Sequence, residues 1–293
     1  MRALLCLLLA GPIAGCASAN PQTSTNPARD TTNAAVGLGG TSTPNANPFP
    51  STYTPFPSRT TVIRNVNLLT AAGPTIRNGA ILLQNGKIVA VGASVDAPAD
   101  ALVIDGAGKY VTPGIVDDHS HLGVYAAPGV DASSDGNEAT APTTPQVWAE
   151  HSVWPQDPQF PRNLAGGVTT LQVLPGSANL IGGRSVVLKV VPGRTVQAMK
   201  FPGAKYGLKM ACGENPKRVY GNRGGPQTRM GNVAGYRAAW IKAQDYRRKW
   251  DKWNADHKGD APAATSATRR SPKFCAETFS CTTIAIAQTK WRR

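Results

Sequence analysis

Two histidines separated by one residue, His119 and His121, follow an apolar run in the segment VTPGIVDDHSHLGVY, residues 111–125. Residues two apart in a β-strand point to the same side, so both imidazoles can reach one ion. Imidazole nitrogen is a common ligand of zinc and of other divalent metals. The pair therefore predicts part of a metal site whose remaining ligands come from elsewhere in the chain.

The segments around the pair indicate an α/β protein. Residues 60–111 contain short β-rich runs, and Asn85-Gly86 between two of them is a strong hairpin signal. This pattern predicts a small antiparallel β unit whose last strand leads into the histidine segment. Beyond it, the strands VTTLQVL, SVVLKVV and GLKMACG alternate with a helix in QDPQFPRNLAGG and a helical stretch from Val233 to about His257. Strands that alternate with helices favour parallel βα units.

Four motifs together resemble the metal-dependent amidohydrolase superfamily, specifically its imidazolonepropionase-related members. They are Asp105-Gly106, VTPGIVDDHSHLG, LAGGVTTLQVLPGSANLIGGRS and GLKMACGENPKRVYG, and the likeness covers about residues 60–260. The resemblance implies a (β/α)8 TIM-type barrel with a β-sandwich appendage. It also implies one or two divalent metals, usually zinc, at the C-terminal mouth of the barrel.

The same resemblance implies a full ligand set. His119 and His121 would be the ligands from the first barrel strand. A Glu or a carboxylated Lys in the middle of the chain, two histidines on later strands and an Asp on the last strand would complete the set. That Asp would be the general base, and it has no counterpart in the printed sequence, so no catalytic residue is assigned.

Two residues of the segment KYGLKMACGEN could supply the mid-chain ligand. Lys209 lies in the middle of a predicted strand, with Leu208 and Met210 facing the other way. Glu214 lies past the C-terminal end of that strand, where the ligands of such barrels sit. A solvent-facing lysine and a turn glutamate are the alternative interpretations, so both residues stay candidates.

Three further polar residues are candidates for contact with a substrate. His151, in AEHSVWP, lies between the first two barrel strands, where loops reach over the mouth, although a helix-capping role is the alternative. Ser177 and Asn179 belong to PGSANLIGGR, which lacks the Gly-Lys-Ser/Thr ending of a phosphate-binding loop. We interpret this segment as a βα loop with two polar groups on the substrate side.

The first 16 residues predict a bacterial lipoprotein signal peptide. Met1-Arg2 precedes a short apolar run and the segment IAGC, which ends in Cys16, the predicted lipid anchor. The resemblance to lipoproteins, with Ala17 next, implies export to the periplasmic face of the outer membrane of a Gram-negative bacterium. Residues 17–58 are rich in Pro, Ser, Thr and Asn, which predicts a disordered linker between lipid and domain.

The remaining boundaries follow from these patterns. Residues 59–112 are the predicted β-sandwich part, and residues 113–268 are the predicted N-terminal half of the barrel. A complete (β/α)8 barrel needs about 250 residues, so the predicted barrel is incomplete.

The tail, residues 269–293, belongs neither to the predicted β-sandwich part nor to the predicted half barrel. The segment FCAETFSCTTIAIAQTKWRR has no amphipathic period. Its possible codons, read one base earlier, allow LRGNILVHNHCYRADEM, which resembles the next barrel strand of the family with a metal-binding histidine. This predicts a frameshift between about Lys258 and Lys273, genuine or from sequencing, that removes the later ligands.

Charge does not predict a nucleic-acid partner. The formal net charge is +14, but much of it lies in the tail. The segment YRAAWIKAQDYRRKWDKWNADHK interleaves aromatic residues with cations, yet Tyr246, Trp250 and Trp253 recur at three and four residues. That spacing favours one packing stripe with the cations on the other face of a helix.

The predicted function is that of a lipid-anchored, metal-dependent hydrolase. It would cleave a C–N bond in a small amide, cyclic amide or peptide-like substrate. We expect the incomplete barrel to be inactive and poorly folded, because it leaves strand edges open. The alternative is a membrane-tethered binding or scaffold protein without catalysis, which would carry no zinc.

Overall fold

The computed structural model describes residues 47–262 and the backbone of residues 284 and 285. The predicted lipoprotein signal with Cys16, the first part of the predicted linker and the tail apart from those two residues lie outside the described residues. The predicted frameshift concerns this same tail. Among the described residues, none of the helices combines the length and the apolar character that a membrane span needs.

The first described strands form one five-stranded mixed sheet. They are β1 (Thr61–Leu68), β2 (Ile76–Gln84), β3 (Lys87–Gly92), β4 (Leu102–Asp105) and β5 (Tyr110–Val111). The order is β3-β2-β1-β4, with β5 also beside β1. The strands β1, β2 and β3 pair antiparallel, whereas β4 and β5 pair parallel with β1.

One prediction for this region needs correction. The unit is not purely antiparallel, because the chain between β3 and β4 crosses the sheet and β4 then runs in the direction of β1. These five strands form one sheet, and its part in a two-sheet sandwich stays a prediction. The core on this sheet is formed by Val66, Leu68 and Ile81, which are almost fully buried.

The predicted hairpin is confirmed. Asn85 and Gly86 connect β2 to β3 and have φ angles of 53° and 71°. A two-residue turn of this kind requires positive φ at both positions, which Asn and Gly adopt at the least cost. The local sequence therefore determines the register in which β2 and β3 pair.

The described residues after β5 contain six strands and four α-helices. The strands are β6 (Ile115–Ser120), β7 (Val168–Val173), β8 (Ile181–Arg184), β9 (Val186–Lys189), β10 (Leu208–Ala211) and β11 (Ile284–Ala285). The helices are α1 (Gln159–Ala165), α2 (Val196–Met199), α3 (Glu214–Tyr220) and α4 (Arg229–Asp256). The strands form two three-stranded sheets, in the orders β6-β7-β9 and β11-β10-β8.

The prediction of parallel βα units holds for two of the described strand pairs and is wrong for two others. The strands β6 and β7 pair parallel, and α1 lies between them in the chain. The strands β10 and β11 also pair parallel. In contrast, β7 pairs antiparallel with β9, and β8 pairs antiparallel with β10. A parallel connection needs a crossover of a dozen or more residues, usually a helix, and no helix lies between β7 and β9.

One apolar core supports the ends of β6 and β7. Leu171 and Val173 from β7 and Leu188 from β9 are fully buried, and Phe160 of α1 and Met199 of α2 belong to the same cluster. Burial of an apolar side chain of this size stabilises the fold by about 1.5–3 kcal/mol. This core therefore fixes the position where the histidine strand ends.

The long helix was predicted from Val233 to about His257 and is confirmed as α4. It begins four residues earlier, because the hydroxyl of Thr228 accepts a hydrogen bond of 3.1 Å from the backbone N–H of Gly231. His257 ends the helix in the left-handed region, with φ of 49°. The rings of the predicted aromatic stripe are half-buried and contact one another.

Part of the predicted linker packs against the domain. Its described residues 47–53, which we call the docked segment, contact α2 and the residues after it. The N–H of Thr52 donates to the carbonyl of Gln197 at 2.9 Å, and the hydroxyl of Ser51 donates to the carbonyl of Lys200 at 2.6 Å. For these residues the prediction of a disordered linker is wrong, because distant parts of the chain supply the hydrogen-bond partners.

Candidate metal centre and adjoining cavity

The histidine pair lies at the C-terminal end of β6. The ring centroids of His119 and His121 are 5.4 Å apart, and the rings are nearly perpendicular. Nδ1 of His121 lies 2.8 Å from the carbonyl oxygen of Leu174, the residue after β7. A carbonyl can only accept, so Nδ1 carries the proton and the lone pair of Nε2 is available for a ligand.

Lys209 of β10 completes a three-residue group. Its side chain is fully buried, and its Nζ lies 3.3 Å from Nε2 of His119. Within the described part of the chain no carboxylate lies at ion-pair distance from this amine. Burial lowers the pKa of Lys209 from its ordinary 10.5 to about 8, because water no longer stabilises the ammonium form.

Both imidazoles are held in the neutral form. Loss of hydration, followed by the charge of Lys209, lowers the pKa of His119 below its ordinary value. Loss of hydration is also the main cause that lowers the pKa of His121. Neutral imidazole is the form that binds metal, so both histidines are ligand-competent at neutral pH.

The structure places Lys209 and Glu214, the two candidates for the mid-chain metal ligand, in different surroundings. Glu214 is the exposed first residue of α3, because β10 ends at Ala211 and the chain turns away before the helix begins. Among the described residues, no three His, Cys, Asp or Glu side chains form a group that could hold a metal. The structure therefore brings Lys209, and not Glu214, to the histidine pair.

A cavity of about 390 Å³ adjoins this centre. Pro175, which lines the cavity, follows Leu174, the partner of His121. The ring of Tyr125 lies 5.8 Å from the ring of His121, and its hydroxyl accepts a hydrogen bond from Asn137, which also lines the cavity. The histidine pair and the cavity therefore share one layer of residues.

Of the three candidates for substrate contact, His151 lies at this cavity. It is exposed, and its ring stacks on that of Trp148 with 5.8 Å between centroids. Ser177 is half-buried, and its hydroxyl accepts a hydrogen bond of 2.5 Å from Nδ2 of Asn215. Neither Ser177 nor Asn179 is among the residues that line the cavity.

Asn179 is fully buried within the loop. Its Nδ2 lies 2.6 Å and 2.8 Å from the carbonyl oxygens of Glu138 and Ala141. It also lies 3.1 Å from the hydroxyl of Thr144 and 2.9 Å from that of Tyr220. In this arrangement the amide joins the loop after β7 to the loop before α1 and faces protein on every side.

Sequence reasoning did not single out Tyr125, Asn137 or Trp148. Tyr125 follows His121 at four residues, in a segment already assigned to the site, so its position was a usable signal. Asn137 and Trp148 lie in the long connection between β6 and α1, where no periodic pattern marks them. Their role depends on how that connection folds over the strand ends.

Comparisons with known proteins come from sequence and from structure. No family model matches the chain. Over 189 residues, 60% of this chain, the sequence is 39% identical to amidohydrolase tasK of Hapsidospora irregularis, of which it covers 19%. It is 50% identical over 58 residues, 17% of this chain, to the imidazolonepropionase of Geobacillus kaustophilus, of which it covers 13%.

A solved structure extends this similarity to the fold. The crystal structure of an amidohydrolase from Thermotoga maritima matches with a TM-score of 0.65 and 38% identity. The match covers 70% of this chain and 53% of that protein. The chain therefore spans about half of that structure and less than a fifth of the two curated relatives.

Proposed function

We propose, since the chain belongs to the amidohydrolase superfamily, that His119, His121 and Lys209 hold a divalent metal and that the whole protein hydrolyses a C–N bond. The observation that carries this proposal is the fully buried amine of Lys209, 3.3 Å from Nε2 of His119. Hydrolysis of C–N bonds is the activity of the superfamily. Zinc, as one or two ions, is the metal we expect.

The donor set fits a metal once Lys209 is carboxylated. At a pKa of about 8, roughly 10% of the amine is neutral at pH 7. The neutral Nζ attacks the carbon of CO2, an N–C bond forms, the π electron pair of one C=O bond moves to its oxygen, and one N–H proton leaves to solvent. The resulting carbamate has two oxygens and one negative charge, which removes the cost of an ammonium without a counter-ion in the protein interior. Two imidazole nitrogens and a carbamate oxygen are ordinary zinc ligands.

The chain's own residues then have separate tasks. The carbonyl of Leu174 accepts the Nδ1 proton of His121 and so orients its Nε2 toward the centre. A divalent metal held by His119, His121 and carboxylated Lys209 would supply a water of lowered pKa and would polarise a substrate carbonyl. The cavity beside the centre would take a small amide, cyclic amide or peptide-like substrate, with His151 as a hydrogen-bonding group.

Two further parts of the proposal concern the chain outside the described residues. Cys16 would carry a lipid that anchors the protein at the periplasmic face of the outer membrane, as its signal-like N-terminus suggests. The proton-transfer Asp and the later histidine ligands would have to come from sequence beyond the part that matches the relatives. The frameshift in the tail is a proposal of the same kind.

A non-catalytic binding or scaffold role is the second candidate. The observation that favours it is that the described residues offer no third His, Cys, Asp or Glu to the histidine pair. Such a protein would keep the cavity and its polar lining without a reactive metal.

Metal content and turnover distinguish these two functions. The full chain, purified after growth with zinc, is analysed for zinc by mass spectrometry, alongside Lys209→Met and Glu214→Gln. The proposed enzyme contains zinc near one ion per chain in the wild type and in Glu214→Gln, and much less in Lys209→Met. The same samples are assayed with cyclic amides, N-acyl amino acids and dipeptides. Absence of zinc from the wild type overturns the metal site and favours the binding role, and measured turnover supports the hydrolase.

A further inference from the structure

A buried ion pair lies beside the cavity and has no part in the proposed chemistry. Nζ of Lys200 is 2.8 Å from Oε2 of Glu150, and both side chains are almost fully buried. The hydroxyl of Tyr206 donates to Oε1 of Glu150 at 3.0 Å. A buried ion pair is stable only when further hydrogen bonds satisfy its remaining donors and acceptors.

The docked segment provides those hydrogen bonds. Nζ of Lys200 donates to the carbonyl oxygen of Phe49 at 2.6 Å and to Oδ1 of Asn47 at 3.2 Å. The hydroxyl of Ser51 donates to the backbone carbonyl of Lys200 at 2.6 Å. Because these bonds join residues about 150 positions apart, the docked segment is a fixed part of the domain.

The docked segment places one aromatic ring against two residues that line the cavity. The ring of Phe49 lies 5.0 Å from that of His151 and 5.9 Å from that of Trp148, edge-on in both cases. His151 and Trp148 line the cavity and stack on each other. The imidazole of His151, although exposed, is therefore contacted by the ring of Trp148 in a stacked arrangement and by the ring of Phe49 in a perpendicular one.

We propose that the docked segment supports the wall of the substrate cavity from behind, with Phe49 as a positioning residue that fixes the orientation of the imidazole of His151. Lys200 is the anchor that holds Phe49 in place. The inference rests on the proposed function in taking this cavity as the substrate site. By this proposal the docked segment, which precedes β1, influences substrate specificity because it orients the imidazole of His151.

The test uses the full chain labelled in its four histidines, and NMR of the His151 ring, assigned with His151→Gln. Phe49→Ala removes one of the two neighbouring rings, so the contribution of Phe49 to the ring-current shift of His151 is lost while that of Trp148 remains. Phe49→Tyr keeps the ring and restores that shift. Phe56→Ala is the matched control, because Phe56 lies just beyond the docked segment and is 56% exposed.

Lys200→Met provides a second route to the same result. It releases the docked segment, so the His151 shift is lost and the amide of Thr52 exchanges faster with deuterium. The inference is overturned when Phe49→Ala leaves the His151 resonances unchanged, or when Phe56→Ala moves them as far. Zinc content is expected to be equal in Phe49→Ala and the wild type, so failure of the proposed metal site is seen separately.

Discussion

Nζ of Lys209 lies 3.3 Å from Nε2 of His119, although 90 positions separate the two residues in the chain. The amine reaches the imidazole from a different sheet, through an interior position where lysine is rarely found. Among the described residues no carboxylate offsets the cost of burying this amine, and the proposed metal site would do so.

The first prediction concerns metal affinity. Lys209→Met removes the third ligand, and we expect zinc affinity to fall by at least about 100-fold, since loss of a supporting group alone costs 10–100-fold. Isothermal titration with zinc measures the change. Lys87→Met, at an exposed position, is the control and should bind zinc as the wild type does. Equal affinity in all three proteins would remove Lys209 from the site.

The second prediction concerns the stability of the metal-free protein. The pKa of Lys209 is about 8 in the folded protein and 10.5 in the unfolded chain, so the unfolded chain binds more protons between these values. Stability therefore rises with pH from about 8 to 10.5, and below pH 8 the buried amine costs on the order of 3 kcal/mol. Lys209→Met is expected to be more stable than the wild type at pH 7 by up to this amount, and the gain should vanish toward pH 10.5.

Urea denaturation in the presence of a chelator at pH 7, 9 and 10 measures that difference. Lys87→Met corrects for the general effect of losing a lysine. A gain in stability that is the same at all three pH values would contradict the prediction, because it would show that the amine does not titrate differently in the folded state.

Local sequence was enough to predict the histidine pair and the β2–β3 hairpin. Asn85-Gly86 determines its own backbone conformation, and the spacing of His119 and His121 places both rings at one strand end. Contacts between distant parts of the chain could not be predicted from local sequence. The choice between Lys209 and Glu214 required the burial of β10, which depends on β8 in another part of the chain.

The contacts of the docked segment could not be predicted from its local sequence either. Its composition is that of a linker, and the hydrogen bonds that hold it come from residues about 150 positions away. No pattern within residues 17–58 could indicate a lysine at position 200 that needs acceptors. The direction of β9 relative to β7 could have been predicted, because the sequence indicates no helix between VTTLQVL and SVVLKVV, and a parallel connection usually needs one.

The third prediction concerns Asn179. Asn179→Ala removes a fully buried amide and leaves two carbonyl groups without a donor, which should lower the free energy of unfolding by about 2–4 kcal/mol. Asn222→Ala, at an exposed position, should change it by no more than about 0.5 kcal/mol. Urea denaturation compares the two. A small effect of Asn179→Ala would favour the original interpretation of Asn179 as a group that faces the substrate.

The fourth prediction concerns the ion pair behind the cavity. Lys200→Met leaves the carboxylate of Glu150 buried without its cation, and removal of one partner of such a pair costs about 3–5 kcal/mol. Lys242→Met, at an exposed position, is the matched control and should be nearly neutral. The double variant Glu150→Gln with Lys200→Met should recover part of the loss, because no net charge then remains buried. Additive losses in a double-mutant cycle would show that the two side chains do not interact, and the anchor of the docked segment would then have to be sought in Ser51 and Thr52.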